Sequence, residues 1–138
     1  MSYVIEYGNA GAEILFSGEI TGAEIHRAKA EFFGHKFPDK ARYVLCDFTD
    51  AGAFDVSPED VDTIVEQDRR AMESHTSLLE AVIAPRPLLF GLSRMWQAKV
   101  DVVRPHTTVV KTRAEAVKWL QGAGLKDVLA DDERSVSA

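Results

Sequence analysis

The stretch Ala41–Val61, "ARYVLCDFTDAGAFDVSPEDV", decides how this chain folds. Residues 41–48 are apolar on both parities, as in a central strand covered on both faces. The composition then turns polar, which reads as a loop over 48–57. Ser57 opens "SPED", which holds a cap residue, a proline at the first helical position and acids in the first turn. A buried strand running through a loop into a helix is the building unit of a parallel sheet. Within the stretch, Asp47 ends the strand, Asp50 and Asp55 lie in the loop, and Ser57 caps the helix.

The flanks repeat the unit. After Ser57, residues Val61, Ile64, Val65, Asp68 and Met72 fall at helical spacing, with Asp68 the one charge in an apolar stripe. "LLEAVIA", 78–84, is another strand. "PRPLLFGLSRMWQAKV" places Leu88, Leu92, Met95 or Trp96, and Val100 on a helical stripe begun by Pro87. "HTTVVK", 106–111, is a last strand, and "TRAE" at 112–115 is a capping box that opens a helix carrying Val117 and Leu120. Upstream, "YVIEY" (3–7) and "AEILFS" (12–17) flank "GNAG", a hairpin signal. "TGAE" at 21–24 is another capping box, followed by Ile25, Ala28, Phe32 and Phe33 near one helical face. The order ββαβαβαβα demands right-handed crossovers and a largely parallel sheet. The expectation is an α/β fold in one domain over residues 1–125. It has a five-stranded mixed sheet, an N-terminal hairpin followed by parallel strands, and four helices mainly on one face. Residues 126–138 are polar and acidic and read as a disordered tail.

Bulk properties exclude several function classes. At 138 residues the chain is one domain's worth, 46% hydrophobic and 28% charged. It can bury roughly two-thirds of its unfolded surface without covalent staples. A net charge of −6 and the lack of any Lys/Arg-rich run argue against nucleic acid. No apolar run approaches the ~20 residues that span a bilayer, and "MSYVIEY" is not a signal peptide. A cytoplasmic location is expected. The single cysteine, Cys46, has apolar neighbours and reads as a small buried hydrophobe.

Chemistry is sparse. Asp47, Asp50 and Asp55 offer hard oxygens, but their spacing matches no calcium loop, and acids solvating a loop explain them better. The histidines, His26, His35, His75 and His106, show no i, i+4 pair for zinc. There is no nucleophile elbow, no P-loop and no dinucleotide fingerprint. No cofactor, metal or catalytic residue is expected. The aromatic set Phe32, Phe33, Phe37, Phe90 and Trp96 reads first as core. The alternative is an apolar pocket between helices 21–33 and 87–100, formed by Phe33, Phe90 and Trp96, with Arg86 orienting an anionic head group. In sheets of this kind, partners meet the carboxyl ends of the parallel strands. Here that edge comprises 18–21, 48–57, 84–87 and 111–112.

The strand ending in "LCDFTD", the helix starting at Ser57, and "AVIAPRPLLFGLSRMWQ" before "TTVVKTRAEAVKWL" together resemble the STAS-like fold. This is the fold of sulfate-transporter and anti-sigma-factor-antagonist domains, and the likeness is to the bacterial antagonist-like branch of uncharacterised function. It covers about residues 3–121. The resemblance implies a non-enzymatic module in which a partner kinase phosphorylates a serine at the start of the helix after the central strand. Ser57 holds the matching position. The family motif follows that serine with a small residue and glycine, whereas this chain reads Ser57-Pro58-Glu59, so the surface carries over and the switch does not. Members of that branch would also allow a small or lipid-like ligand. The expected function is a regulatory or binding module acting through Asp47, Asp50, Asp55 and Ser57 on a protein partner. The alternatives are a carrier or sensor of a small apolar or lipid-like anion, and an enzyme. An exposed strand edge would also invite a homodimer.

Overall fold

The structure is a computed structural model that describes residues 3–34, 41–74, 77–101 and 106–125. The elements run β1 (Tyr3–Tyr7), β2 (Gly11–Thr21), α1 (Gly22–Gly34), β3 (Tyr43–Asp55), α2 (Pro58–Ser74), β4 (Leu79–Ile83), α3 (Pro87–Val100), β5 (Thr107–Val110) and α4 (Arg113–Gly122). The five strands form one sheet in chain order, β1-β2-β3-β4-β5. The β1–β2 hairpin is antiparallel, and every later pair is parallel. This is the α/β mixed sheet that the order of sequence signals implies.

The topology fixes where the helices go. Each parallel crossover is right-handed, and the sheet grows in one direction, so the three crossover helices must share one face. Accordingly α1, α2 and α3 cover that face, where Phe32, Val65 and Trp96 pack with Ile14, Cys46 and Val82. Helix α4 is not a crossover, so it can fold back over the other face. There Ala116, Val117 and Leu120 pack on Tyr43, Leu45, Ala81 and Ile83. Strand β3 is buried on both sides as its double apolar parity requires, with Val44 and Leu45 each 1% exposed.

Two expectations need correction. Residues 48–55 are not a loop: β3 runs on to Asp55, paired with β2 through Thr21↔Asp55. Strand β4 pairs β3 only as far as Asp47, so beyond that point β2 and β3 continue as a two-stranded ribbon. The register slips between Leu15 and Ser17 and again between Gly18 and Ile20, where β3 spends three residues against two of β2. Such bulges bend and twist a ribbon, and an alternation pattern does not reveal strand residues across them. Gly18 supplies the positive φ of 72° that the bend needs. Buried Ile20 and Ala51, with Phe16 stacked on Phe48 at 4.4 Å, hold the ribbon to the core.

The second correction is the phase of α3. Its buried residues are Leu89, Ser93, Trp96 and Val100, and Leu88 is 67% exposed. The stripes 88/92/95 and 89/93/96 have the same spacing. Choosing the more apolar one misses Ser93, a buried polar residue.

Candidate functional site

The carboxyl edge of the sheet is built by the ribbon and two helix starts. Ser57 is the N-terminal cap of α2. Its Oγ accepts the Asp60 N–H at 3.1 Å, and its own N–H donates to Asp60 Oδ2 at 2.9 Å. This reciprocal box satisfies two orphan amides at once. Helix α1 begins directly against it: a Cβ on Gly22 would stand 2.3 Å from Asp60 Cγ, so only glycine fits there. Thr21 and Thr112 cap α1 and α4 by accepting the Glu24 and Glu115 amides.

The acids of the edge are strung along the ribbon. Asp47 Oδ1 accepts from the Thr49 N–H at 2.8 Å and from the Thr49 hydroxyl at 2.5 Å, which turns the chain where β3 leaves β4. Asp50 and Asp55 are exposed, as are Glu19 and Glu59. Arg86, at the start of α3, donates from Nη1 to the Gly52 carbonyl at 2.5 Å. That bond ties the α3 start to the ribbon, so segments 48–57 and 84–87 form one continuous edge.

The four aromatic-pocket candidates do not converge on one site. Trp96 lines a cavity of about 50 Å³ between α1, α2, α3 and the sheet, together with Lys29, Cys46, Phe48, Leu89 and Ser93. Phe33 lines a separate groove between α1 and α2. Phe90 lies under the Lys111 ammonium, 5.1 Å from the ring centroid, and Arg86 is engaged at the ribbon. Phe37, His35 and His75 lie outside the described residues, as does the tail 126–138.

Beside the cavity is a charged cluster that the sequence reading missed. Lys29 Nζ donates to Asp68 Oδ2 at 2.7 Å and to Glu80 Oε2 at 2.6 Å, and all three side chains are almost wholly buried. Trp96 Nε1 donates to Asp68 Oδ2 at 2.6 Å, Lys29 sits 4.7 Å from the Trp96 ring centroid, and the Cys46 thiol reaches Glu80 Oε2 at 3.8 Å. Asp68 Oδ1 and Glu80 Oε1 accept no hydrogen bond among the described residues. Helices α1, α2 and α3 and strands β3 and β4 each contribute a side chain. One lysine serves two carboxylates, and the indole assists only Asp68. Burial and the neighbouring Asp68 charge push the Glu80 pKa up to about 7, against the opposing pull of Lys29. For Lys29, burial favours the neutral amine, but the Asp68 and Glu80 charges outweigh it and hold the ammonium protonated well above its ordinary range. Burial, then the Glu80 charge, raises the Cys46 thiol. The available signal was three lone charges in apolar stripes: Lys29 between Ile25 and Phe32, Asp68 beside Val65, and Glu80 before Ala81.

A second, half-buried ion pair joins the other face. Arg113 at the start of α4 donates to both oxygens of Glu13 on β2, at 2.5 and 3.0 Å. Among the described residues no helix is long and apolar enough to cross a membrane, and no three acidic, His or Cys side chains are placed to hold a metal.

Comparison with known proteins places the fold. No family model matches the chain, and no curated protein matches it. Among solved structures, the anti-sigma factor antagonist SpoIIAA in its unphosphorylated form matches with a TM-score of 0.54 at 16% identity, over 87% of this chain and 98% of that one. The Bacillus cell fate determinant SpoIIAA in its phosphorylated form matches with a TM-score of 0.56 at 15% identity, over 86% of this chain and 98% of that one. At these identities the likeness is one of fold. The chain therefore has the fold of SpoIIAA, the STAS-like arrangement that its order of strands and helices resembles.

Proposed function

We propose that this chain is a non-enzymatic regulatory module that binds a protein partner through the edge formed by the ribbon, the α2 start and the α3 start. The observation that carries this reading is the ribbon itself. It extends β2 and β3 past the rest of the sheet and presents exposed Asp50 and Asp55. Glu19 and Glu59 add to the acidic field, and Leu88, exposed beside Arg86, offers an apolar contact. A partner with a basic face around an apolar notch fits this surface. The likeness to a fold used by an anti-sigma factor antagonist supports a binding role. The inert, buried Cys46 thiol supports a chain without nucleophilic chemistry. A cytoplasmic setting accords with that free thiol. The edge strand β1, with Val4 and Tyr7 exposed, suits a homodimer contact.

In this reading Ser57 acts as a helix cap. Esterifying its Oγ would place a dianion beside the Asp60 carboxylate and Glu59, and so disturb the box that starts α2. The test is affinity capture from the source cells with the unaltered chain, with Asp50→Lys/Asp55→Lys, and with Glu73→Lys at the far end of α2 as a control. A partner held by the first and third chains and lost by the second supports the edge. A partner indifferent to the double reversal sinks it. Peptide mapping of residues 47–70 in the same material decides Ser57, since a phosphate found there would restore the switch.

A second reading, a carrier or sensor of a small apolar or lipid-like anion, has the cavity against Trp96 in its favour, whose volume of about 50 Å³ would admit only a few heavy atoms of such a ligand.

A further inference from the structure

The homodimer contact suggested for β1 has a definite register. Antiparallel neighbours alternate between pairs that exchange backbone hydrogen bonds and pairs that do not. At the hairpin turn the Gly8 N–H donates to the carbonyl of Gly11, directly opposite it, at 2.8 Å. Counting back through Glu6↔Glu13 and Val4↔Leu15, the backbone groups of Glu6 and Val4 turn toward β2, and those of Tyr3 and Ile5 turn away from it. Among the described residues no strand lies on that side, because β1 ends the sheet. The Val4 side chain is 53% exposed and stands across from half-buried Leu15, on the face that α4 covers farther along. The apolar cluster under α4 includes no residue of β1 or β2, so this end of that face is open.

A second copy can pair with the edge antiparallel about a two-fold axis, and the place of the axis fixes which residues meet. At Glu6 it would set two carboxylates face to face, which cross-strand pairing penalises. At Ile5 it would set each Val4 against a Glu6. At Val4 it sets Val4 against Val4, and Tyr3 of each copy exchanges backbone bonds with Ile5 of the other. Leu15 and Val4 of both copies then form one apolar row across the joined sheets, with Glu6 beyond its ends. We propose that two copies of this chain join antiparallel through β1 with the two-fold axis at Val4, which makes one continuous sheet. The proposal rests on the homodimer reading of β1 and is independent of the ribbon edge. On the α1 side Glu31 accepts the Tyr3 hydroxyl and the Arg27 charge reaches Tyr3, so each copy brings both signs to the contact. The Tyr3–Ile5 overlap is far smaller than the roughly 20–30 residues a side of a stable interface, and each copy carries a net charge of −6. The dimer is therefore weak, concentration-dependent and tightened by salt.

The test is sedimentation equilibrium of the full chain at concentrations up to ~1 mM, at low salt and at ~0.5 M salt, where charge repulsion is screened. Mass should rise with concentration, more so in salt, and Val4→Lys should weaken association at least ~tenfold. Under mild oxidation Val4→Cys should give a disulfide-linked dimer, because residues opposite each other in a non-bonded pair stand about 4.5 Å apart between Cα atoms, within the range a disulfide spans. Glu6→Cys, exposed on the same strand, should not, since the axis separates the two copies of that residue. Cys46 is buried and stays out of the reaction. A monomer at every concentration overturns the dimer and its axis together. A dimer indifferent to Val4→Lys overturns the axis and leaves the homodimer reading standing, and so does cross-linking of Glu6→Cys as readily as Val4→Cys.

Discussion

Two acid-rich regions of this chain differ in everything but composition. On the ribbon edge, Asp50, Asp55 and Glu59 stand in water and no helix packing depends on them. Under the helices, Asp68 and Glu80 are wholly buried, and a single lysine holds them together with an indole. An acid in water remains free for a partner. An acid in the core is committed to the architecture, because the solvation it lost must be replaced by fixed donors. Position relative to the sheet, rather than residue type, separates the binding surface from the framework.

The sharpest way to break that contrast is to remove the shared cation. Lys29→Met leaves two buried carboxylates facing each other, and removing one partner of a buried pair costs about 3–5 kcal/mol. Urea unfolding at pH 8 would measure this as a large fall in midpoint. A loss under ~1 kcal/mol, the scale of an exposed pair, would mean that the cluster is not buried as described. Replacing all three with apolar residues, Lys29→Met/Asp68→Leu/Glu80→Leu, is expected to recover much of the loss, since buried ion clusters often exchange with hydrophobes at little net cost.

The next effect follows pH. Burial, then the Asp68 charge, raises the Glu80 pKa from the ordinary 4.5 to about 7, against the opposing pull of Lys29 and of the Cys46 thiol. Between those values the folded chain keeps a proton that the unfolded chain has released. Stability therefore falls as pH rises through the window and levels off above about 7. Melting curves from pH 4.5 to 8 should show a declining Tm, and Glu80→Gln should flatten that decline. An identical slope in the variant would assign the effect to other groups.

A smaller loss sits where the two regions meet, at the start of α2. Ser57→Ala removes the acceptor for the Asp60 amide and leaves the reverse bond in place. Lost caps of this kind cost about 1 kcal/mol. Gly22→Ala should cost at least as much through the same box, because its Cβ displaces the Asp60 carboxylate. Chemical denaturation of both variants and of their combination would show whether they act on one device: the combined loss should fall short of the sum.

The contrast also explains what sequence could show. Order, hairpin, caps and the one-sided helix arrangement were legible because each rests on local chemistry or on crossover handedness. The stripe Val61, Ile64, Val65, Asp68 and Met72 is buried in full, its charge included. The extension of β3 to Asp55 was hidden, since two bulges break the alternation by which strands are recognised. The phase of α3 was hidden because Ser93 points at the cavity. The cluster was hidden for a different reason. Its members are 39 and 51 positions from Lys29, so each appeared as an isolated flaw in its own stripe. Read together, one buried base and two buried acids call for pairing.

The smallest expected effect on stability carries the most weight for function. Asp50→Lys/Asp55→Lys changes two exposed side chains, and surface changes of this kind usually stay within about 0.5 kcal/mol each. Reversing acids on an already acidic surface relieves repulsion, so the Tm should hold or rise slightly. Partner capture should nevertheless fall sharply, and adding salt should weaken capture by the unaltered chain in the same direction. A fall in capture with no fall in Tm would separate recognition from folding, which is the distinction the two acid-rich regions embody. A fall in both would show that the ribbon acids hold β2 to β3, and the edge would then belong to the framework as the buried cluster does.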